Sequence, residues 1–231
     1  MRPRLLDAFC CQGGAAMGYH LAGFEVVGVD IKPQPRFPFE FHHADANEFI
    51  TAHGHEYDAI HASPPCHFYS HATRAVNHAS YPDLIASTRE ALEATGKPWV
   101  IENVEGARNH LRNPVMLCGS MFGLTATDDD GEELRLERHR LFESNVTLWP
   151  PFTDYHPSKV AVAGSYDGAR KDKHEARHVR HGGYVPSFQV QQKLLGIDWM
   201  TERGLHQAIP PAYTAHIGGQ LLEHLASREV A

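Results

Sequence analysis

The stretch Arg4-Leu-Leu-Asp-Ala-Phe-Cys-Cys-Gln-Gly-Gly-Ala-Ala-Met-Gly18 carries the strongest indication of the fold, because a short apolar run leads directly into a glycine-rich turn. Residues 13–22 then have helical composition, and Glu25-Val-Val-Gly-Val-Asp30 is a second short apolar run. A strand, a glycine-rich turn, a helix and a second strand indicate the start of a βαβ unit.

The rest of the chain repeats this alternation of apolar runs and helical segments. Further strands are predicted near residues 41–44, 57–62, 99–104, 115–120 and 134–142, with helices at 81–95 and from Pro211 onward. Strands that alternate with helices are typical of a doubly wound, mostly parallel α/β sheet. We expect a main domain at 1–145, a small irregular lobe at 146–188, and a C-terminal segment at 189–231 that completes the main domain.

Composition and cysteine usage exclude several classes of protein. No run approaches the ~20 apolar residues of a membrane span, and no apolar segment follows the Met-Arg-Pro-Arg start. The four cysteines form no CxxC pair and the 18 histidines no metal-binding spacing, so neither disulfides nor a metal site are indicated. We expect a cytoplasmic monomer without a metal or a membrane partner.

The charge is unevenly distributed, although the formal net charge is −7. Acid is concentrated at residues 128–133, whereas residues 168–181 carry five Arg or Lys and three His against two acids. A local basic excess can bind a phosphate backbone, although a solvated loop would explain it equally well. The nucleic-acid contacts predicted on this basis are Arg170, Lys171, Lys173, Arg177 and Arg180.

The segment Asp58-Ala-Ile-His-Ala-Ser-Pro-Pro-Cys66 reads as a buried strand that ends in a rigid turn. Two consecutive prolines fix the backbone and supply no amide donors, so Cys66 has little freedom to move. This favours a nucleophilic thiol, although a small apolar cysteine that packs at a strand end is the ordinary alternative.

Two further clusters of polar residues lie at the ends of apolar strands. Glu102 and Asn103 follow Trp99-Val-Ile, and the ends of neighbouring parallel strands share one crevice, so Glu102 could face the same ligand as Cys66. Asn103 is expected to hold neighbouring backbone. Arg138 and Arg140 alternate along the predicted strand 134–142, which would place both guanidiniums on one face.

An acid at the end of the second predicted strand strengthens the case for a nucleotide site. Asp30 is placed to accept hydrogen bonds from ribose hydroxyls beside the glycine-rich turn, so the two features suggest a cofactor that contains adenosine. Asp45, after the third strand, could reach the exocyclic amine of adenine, or it could cap a helix with Glu48 at the capping-box position.

These pieces, in this order, resemble the DNA (cytosine-5) methyltransferase family. The turn from Phe9 to Gly14 is similar to the family's S-adenosylmethionine loop, and Pro64-Pro65-Cys66 to its nucleophile motif. Glu102-Asn103-Val104 resembles the Glu-Asn-Val motif and Arg138-His-Arg140 the Arg-x-Arg motif. Gln207-Ala-Ile-Pro-Pro211 resembles the last motif, which leads into the C-terminal helix.

The resemblance covers about residues 4–145 and 189–226, with three departures. Cys11 stands where the family commonly has glycine, Gln207 replaces the usual asparagine, and the insert at 146–188 is much shorter than the usual target-recognition domain. The implied arrangement is a catalytic and cofactor-binding domain at 1–145 with a Rossmann-like sheet, and a reduced target-recognition insert at 146–188.

The resemblance implies S-adenosylmethionine as cofactor, S-adenosylhomocysteine as product and DNA as partner. It implies catalytic roles for Cys66, Glu102, Arg138 and Arg140. The implied cofactor-binding residues are Asp7, Phe9, Cys10, Gln12, Gly13, Gly14, Asp30, Ile31, Asp45, Pro64 and Gln207.

In the implied reaction Cys66 adds to C6 of a flipped-out cytosine, and this makes C5 nucleophilic. Glu102 would donate a proton to N3, and Arg138 would hold the cytosine carbonyl oxygen with support from Arg140. Two alternatives are kept: the same chemistry on tRNA or a free cytosine nucleotide, and a non-catalytic S-adenosylmethionine-dependent DNA-binding protein.

Overall fold

The main sheet of the protein has seven strands in the spatial order β3-β2-β1-β4-β5-β9-β6. The computed structural model describes residues 2–69, 81–151, 159–161 and 184–229. The seven strands are β1 (Arg4–Ala8), β2 (Glu25–Asp30), β3 (Glu40–His43), β4 (Ala59–Ala62), β5 (Trp99–Asn103), β6 (Val115–Leu117) and β9 (Arg140–Ser144). The first five strands of the spatial order are parallel, and β9 is antiparallel to both of its neighbours.

This topology makes the carboxyl ends of the strands the expected site for a ligand. The chain proceeds outward from β1 to β3 on one side and from β4 to β5 on the other, so the strand order reverses between β1 and β4. Ligands of open α/β sheets bind beyond the carboxyl ends of the strands at such a switch point. Because β9 runs in the opposite direction, its first residue, Arg140, lies at this same edge.

Helices cover both faces of the sheet because successive strand residues point to opposite sides. They are α1 (Gly14–Ala22), α2 (Ala46–His53), α3 (Ile85–Ala94), α4 (Phe188–Leu195), α5 (Glu202–Gln207) and α6 (Pro211–Glu229). One core joins Leu5 with α1 and α6, and a second core joins Leu6 with α2 and α3. Helix α3 begins at Ile85, four residues after the start of the helix predicted at 81–95.

A smaller sheet has the order β10-β8-β7, with β7 (Thr125–Thr127), β8 (Glu133–Leu136) and β10 (Lys159–Ala161). Its core includes Leu134 and Leu136 and is closed by α4. The prediction of one continuous strand at 134–142 is wrong, since β8 and β9 belong to different sheets and residues 137–139 cross between them. The buried positions change phase between Leu136 and Leu141, which a single strand with one buried face would not do.

Among the described residues no helix is long and apolar enough to cross a membrane. The described residues contain no cluster of three or more His, Cys, Asp or Glu side chains suited to a metal ion. That the protein binds no metal stays a prediction.

Candidate active site

The cysteine turn is fixed at the carboxyl end of β4 by a neighbouring strand. The side-chain amide of Asn103, the last residue of β5, donates to the carbonyl oxygen of Pro64 at 2.9 Å, and its Oδ1 accepts from the amide of Val104 at 2.9 Å. This confirms the expectation that Asn103 holds neighbouring backbone. The contact joins the two motifs that carry Cys66 and Glu102 across adjacent parallel strands.

The Cys66 thiol lies in a partly buried position between charges of both signs. Burial raises the pKa of the Cys66 thiol, while Arg140 and Arg138 oppose the rise and Glu102 adds to it. A thiolate at this position therefore depends on the neighbouring guanidiniums, because burial disfavours the charged form.

Glu102 is a buried carboxyl, 6% exposed, whose partners come from β9 and from the turn after β4. Arg140 Nε lies 3.1 Å from Oε1, and the Ser63 hydroxyl forms a hydrogen bond with the carboxyl. Burial raises the pKa of Glu102, and Arg140, Ser63 and Arg138 each oppose the rise. A carboxyl with a raised pKa can hold a proton near neutral pH and donate it to a ligand.

The two arginines of the Arg-x-Arg motif contact different groups. Arg140, on β9, faces Glu102, whereas Arg138, which precedes the strand, donates to the carbonyl oxygens of Ala208 at 3.0 Å and His206 at 2.8 Å. The expectation that they alternate along one strand is wrong because Arg138 lies in the crossing segment. Arg138 therefore fixes the segment around Gln207, and Arg140 is the guanidinium beside the thiol and the carboxyl.

The residue between these arginines was missed from the sequence. His139 Nδ1 lies 2.9 Å from Glu105 Oε2, and the ring also hydrogen-bonds Cys118. The Cys118 bond, followed by Glu105, raises the pKa of His139 to about 9. Burial would raise the pKa of Cys118, but hydrogen bonds from His139 and Ser120 outweigh it and lower that pKa.

The glycine-rich loop has a strained conformation that suits a close ligand. Phe9, Cys11 and Gly13 have φ values of 58°, 47° and 84°, all in the left-handed region. Non-glycine residues in this region carry strain that is common where a loop holds a ligand. The loop is held by Asp30, whose Oδ2 accepts from the Cys11 amide at 3.0 Å and whose Oδ1 accepts from the Lys32 amide at 2.9 Å.

Asp7 is the best test of whether this loop fits S-adenosylmethionine. The side chain is fully buried at the end of β1, and neither carboxylate oxygen meets a hydrogen-bond partner of good geometry in the described residues. Burial raises the pKa of Asp7 well above its usual range, and the Ala16 amide opposes the rise only in part. An uncompensated buried carboxylate beside the loop fits a ligand that carries positive charge, such as a sulfonium.

Other predicted cofactor residues surround the same loop. Cys10 is buried, Ile31 is 63% exposed directly after Asp30, and Gly14 packs against the backbone of Ile209 so closely that a Cβ would lie 2.6 Å from its carbonyl oxygen. Asp45 caps α2, accepting from the amides of Asn47 at 2.9 Å and Glu48 at 3.1 Å, which confirms the capping alternative.

Gln12 joins the loop to the segment between α4 and α5, a contact that sequence reasoning missed. Its Oε1 accepts from the Thr201 amide at 3.0 Å, and its carbonyl oxygen accepts from the Trp199 indole at 2.9 Å. Gln207 is exposed at the end of α5. The predicted nucleic-acid contacts lie outside the described residues: Arg170, Lys171, Lys173, Arg177 and Arg180.

Comparison with solved structures agrees with this architecture. The chain is similar to S. pombe Dnmt2 methyltransferase, with a TM-score of 0.60 and 15% identity over 97% of this chain and 99% of that one. It is similar to an E. coli prophage-encoded protein assigned as a DNA modification methyltransferase (TM-score 0.59, 14% identity, 97% and 99% coverage). The Entamoeba histolytica methyltransferase EhMeth gives a TM-score of 0.57 at 12% identity with the same coverage.

These findings establish the fold class of the chain. The chain has the Rossmann-like, mostly parallel α/β fold of S-adenosylmethionine-dependent methyltransferases, which confirms the predicted fold class. No protein-family model and no curated protein matches the sequence.

Proposed function

We propose that this chain transfers a methyl group from S-adenosylmethionine to C5 of a flipped-out cytosine in DNA through a covalent bond between Cys66 and C6. One observation carries the proposal: Cys66, Glu102 and Arg140 meet at the carboxyl edge of the sheet, with Arg140 Nε 3.1 Å from the Glu102 carboxyl and electrostatically coupled to the Cys66 thiol. The methyltransferase folds of the similar structures support it.

The chemistry follows from these three side chains. The Cys66 thiolate forms a bond to C6 while Glu102 gives a proton to N3, so that electron density reaches C5. We assign Arg140 to the cytosine carbonyl oxygen because it is the guanidinium next to Glu102, and Arg138 to the support of the segment around Gln207. When C5 has gained the methyl group, a base removes the C5 proton, the Sγ–C6 bond breaks to regenerate the thiolate, and N3 returns its proton to Glu102.

The cofactor would be held by the glycine-rich loop. S-adenosylmethionine supplies an electrophilic methyl group on a sulfonium. The buried Asp7 carboxyl lies beside the loop, Asp30 holds the loop at the Cys11 amide, and the backbone at Phe9 and Cys11 carries the strain that is common where a loop holds a ligand. Gly14 would let the segment near Ile209 close against the first turn of α1.

The test is transfer of label from tritiated S-adenosylmethionine to duplex DNA, tRNA or deoxycytidine monophosphate. Wild type should label duplex DNA and Cys66→Ala should not, while label on tRNA or the mononucleotide alone would replace DNA with that substrate. If no cytosine substrate gains label, or the variant labels equally well, the mechanism fails.

Binding to DNA should weaken steeply with salt, and neutralising the five basic residues of 168–181 should weaken it across sequences.

A duplex that contains 5-fluorocytosine tests the covalent step separately. Fluorine at C5 prevents release, so an adduct should accumulate and peptide mapping should locate it on Cys66. The three other cysteines, Cys10, Cys11 and Cys118, serve as internal controls in the same molecule. Glu102→Gln should slow adduct formation roughly 10²–10⁴-fold, the usual contribution of a positioned proton donor.

A further inference from the structure

We propose that Tyr19 and His61 are positioning residues that act on the Glu102 carboxyl through Ser63, in a hydrogen-bonded chain that enters the site from the protein core. The Tyr19 hydroxyl lies 2.9 Å from His61 Nδ1, and His61 Nε2 lies 2.9 Å from Ser63 Oγ. Ser63 and Glu102 directly follow Ala62 and Ile101, which are paired across β4 and β5, and a hydrogen bond from the Ser63 side chain lowers the pKa of Glu102. The inference rests on the function proposed above, because it assigns a role in that reaction.

The direction of the hydrogen bonds in this chain follows from a neutral imidazole and from the carboxylate at its end, which can only accept. Tyr19 and His61 are both 0% exposed, and burial lowers the pKa of His61 to about 3, so the imidazole is neutral. A neutral imidazole has one donor and one acceptor nitrogen. Ser63 has one hydroxyl proton, so if it donates that proton to Glu102 its oxygen accepts from His61 Nε2–H, and Nδ1 then accepts from the Tyr19 hydroxyl.

A chain with all donors aligned toward a carboxyl stabilises its anion. Consecutive hydrogen bonds polarise one another, and the low dielectric of the core strengthens each of them. The other groups that act on Glu102 are Arg140 and Arg138, which favour its charged form, and the Cys66 and Asp7 side chains, whose anions would oppose it. The chain therefore offsets burial and keeps the proton of Glu102 transferable rather than fixed.

The chain also fixes the carboxyl in space. Ser63 lies between β4 and the prolines that precede Cys66, so its hydroxyl joins the cysteine turn to Glu102. Arg140 approaches the same carboxyl from β9. With one partner on each side, rotation of the Glu102 side chain would break a buried hydrogen bond.

The experiment measures how the rate of adduct formation with a 5-fluorocytosine duplex depends on pH. Ser63→Ala removes the last link, Tyr19→Phe removes only the first hydroxyl, and Tyr57→Phe removes the hydroxyl of another buried tyrosine, outside the chain. The limb of the profile that reports Glu102 should move to higher pH by about one unit in Ser63→Ala, the effect expected from one hydrogen bond to a charged group. Tyr19→Phe should move it less and Tyr57→Phe not at all.

These outcomes separate the chain from a general loss of structure. An unchanged profile in both Ser63→Ala and Tyr19→Phe, or an equal movement in Tyr57→Phe, overturns the proposal. A merely structural role would lower the rate at every pH without displacing the limb.

A readout that needs no activity distinguishes failure of this inference from failure of the proposed function. Ring ¹⁵N NMR of histidine-labelled protein, with the His61 signal assigned by its absence in His61→Gln, should show a neutral ring protonated on Nε2 from about pH 5 to 8. Tyr19→Phe and Ser63→Ala should both perturb this signal. A ring that titrates near pH 6.5, or that carries its proton on Nδ1, overturns the chain even if methylation is found.

Discussion

Replacing Gly18 with alanine should loosen the contact between α1 and α6, on which the geometry around the glycine-rich loop depends. Gly18 faces the first turn of α6, where a Cβ would lie 2.0 Å from Thr214 Oγ1 and 2.2 Å from the carbonyl oxygen of Pro211. The Thr214 hydroxyl already donates to the carbonyl oxygen of Ala15 at 2.9 Å and is itself buried, so it has little room to turn away.

Two opposing effects set the magnitude. Alanine is better than glycine inside a helix by about 1 kcal/mol. Overpacking a buried contact costs about 1–3 kcal/mol, and the upper end applies here because a backbone carbonyl, which cannot rotate away, is one of the atoms met. The net expectation is a loss of about 2 kcal/mol in the free energy of unfolding.

Gly219→Ala is the matched control. It makes the same change inside α6, at a position where a Cβ would meet nothing within 4 Å, so it should gain about 1 kcal/mol. The measurement is urea-induced unfolding followed by circular dichroism for wild type and both variants. A Gly18→Ala protein as stable as wild type, or both variants shifted in the same direction, would refute the close contact between the two helices.

The remaining predictions concern strain and buried charge. Cys11→Gly should raise the urea midpoint and stabilise the fold by about 0.5–1 kcal/mol, because a φ of 47° is strained for cysteine but not for glycine; a lower midpoint would contradict the loop conformation. Asp7→Asn should stabilise the protein by about 1–3 kcal/mol at pH 8. The pKa of Asp7 is raised in the folded state, so wild type loses stability as the pH rises through that pKa. The stabilisation by Asp7→Asn should therefore be smaller when unfolding is measured at pH 5. A stabilisation independent of pH would exclude an ionised Asp7 as the cause. Arg89→Met should cost about 3–5 kcal/mol, since it leaves Glu143, 2% exposed, without the guanidinium that binds it at 2.6 Å. Arg112→Met at an exposed pair should cost under about 1 kcal/mol by the same denaturation; equal costs would refute the buried pair.

The main sheet could be predicted because its information is local. Each parallel strand is a short apolar run bounded by turn residues, and adjacent residues such as Leu5 and Leu6 enter different cores. The places of Cys66 and Glu102 followed from the same logic, since Glu102 lies near the carboxyl end of β5 and Cys66 in the turn after β4, and these two strands pair in the sheet. The N-cap at Asp45 is equally local, and it too was predictable.

What could not be predicted depends on contacts between distant segments. His61 in an apolar strand looks like a packing residue until Tyr19, 42 positions earlier in the chain, is found at its Nδ1. The different roles of Arg138 and Arg140 depend on a crossing between two sheets, and Arg138 meets its partners about 70 residues further along the chain. The phase change after Leu136 is the only local signal of that crossing.

Arg140 resolves a conflict that the cysteine and the carboxyl would otherwise create. Cys66 and Glu102 are both poorly solvated, and each, when ionised, makes ionisation of the other less favourable. The reaction needs a thiolate and a protonated carboxyl at the same moment, although free carboxyls are the stronger acids by about four pH units. Burial of Glu102 raises its proton affinity, while Arg140 stands beside both groups and favours whichever is the anion. When a base accepts the proton from Glu102 as the thiolate attacks, the single negative charge moves from sulfur to the carboxylate, and Arg140 lies beside both positions, so we expect Arg140→Met to slow adduct formation more than it weakens binding of the base.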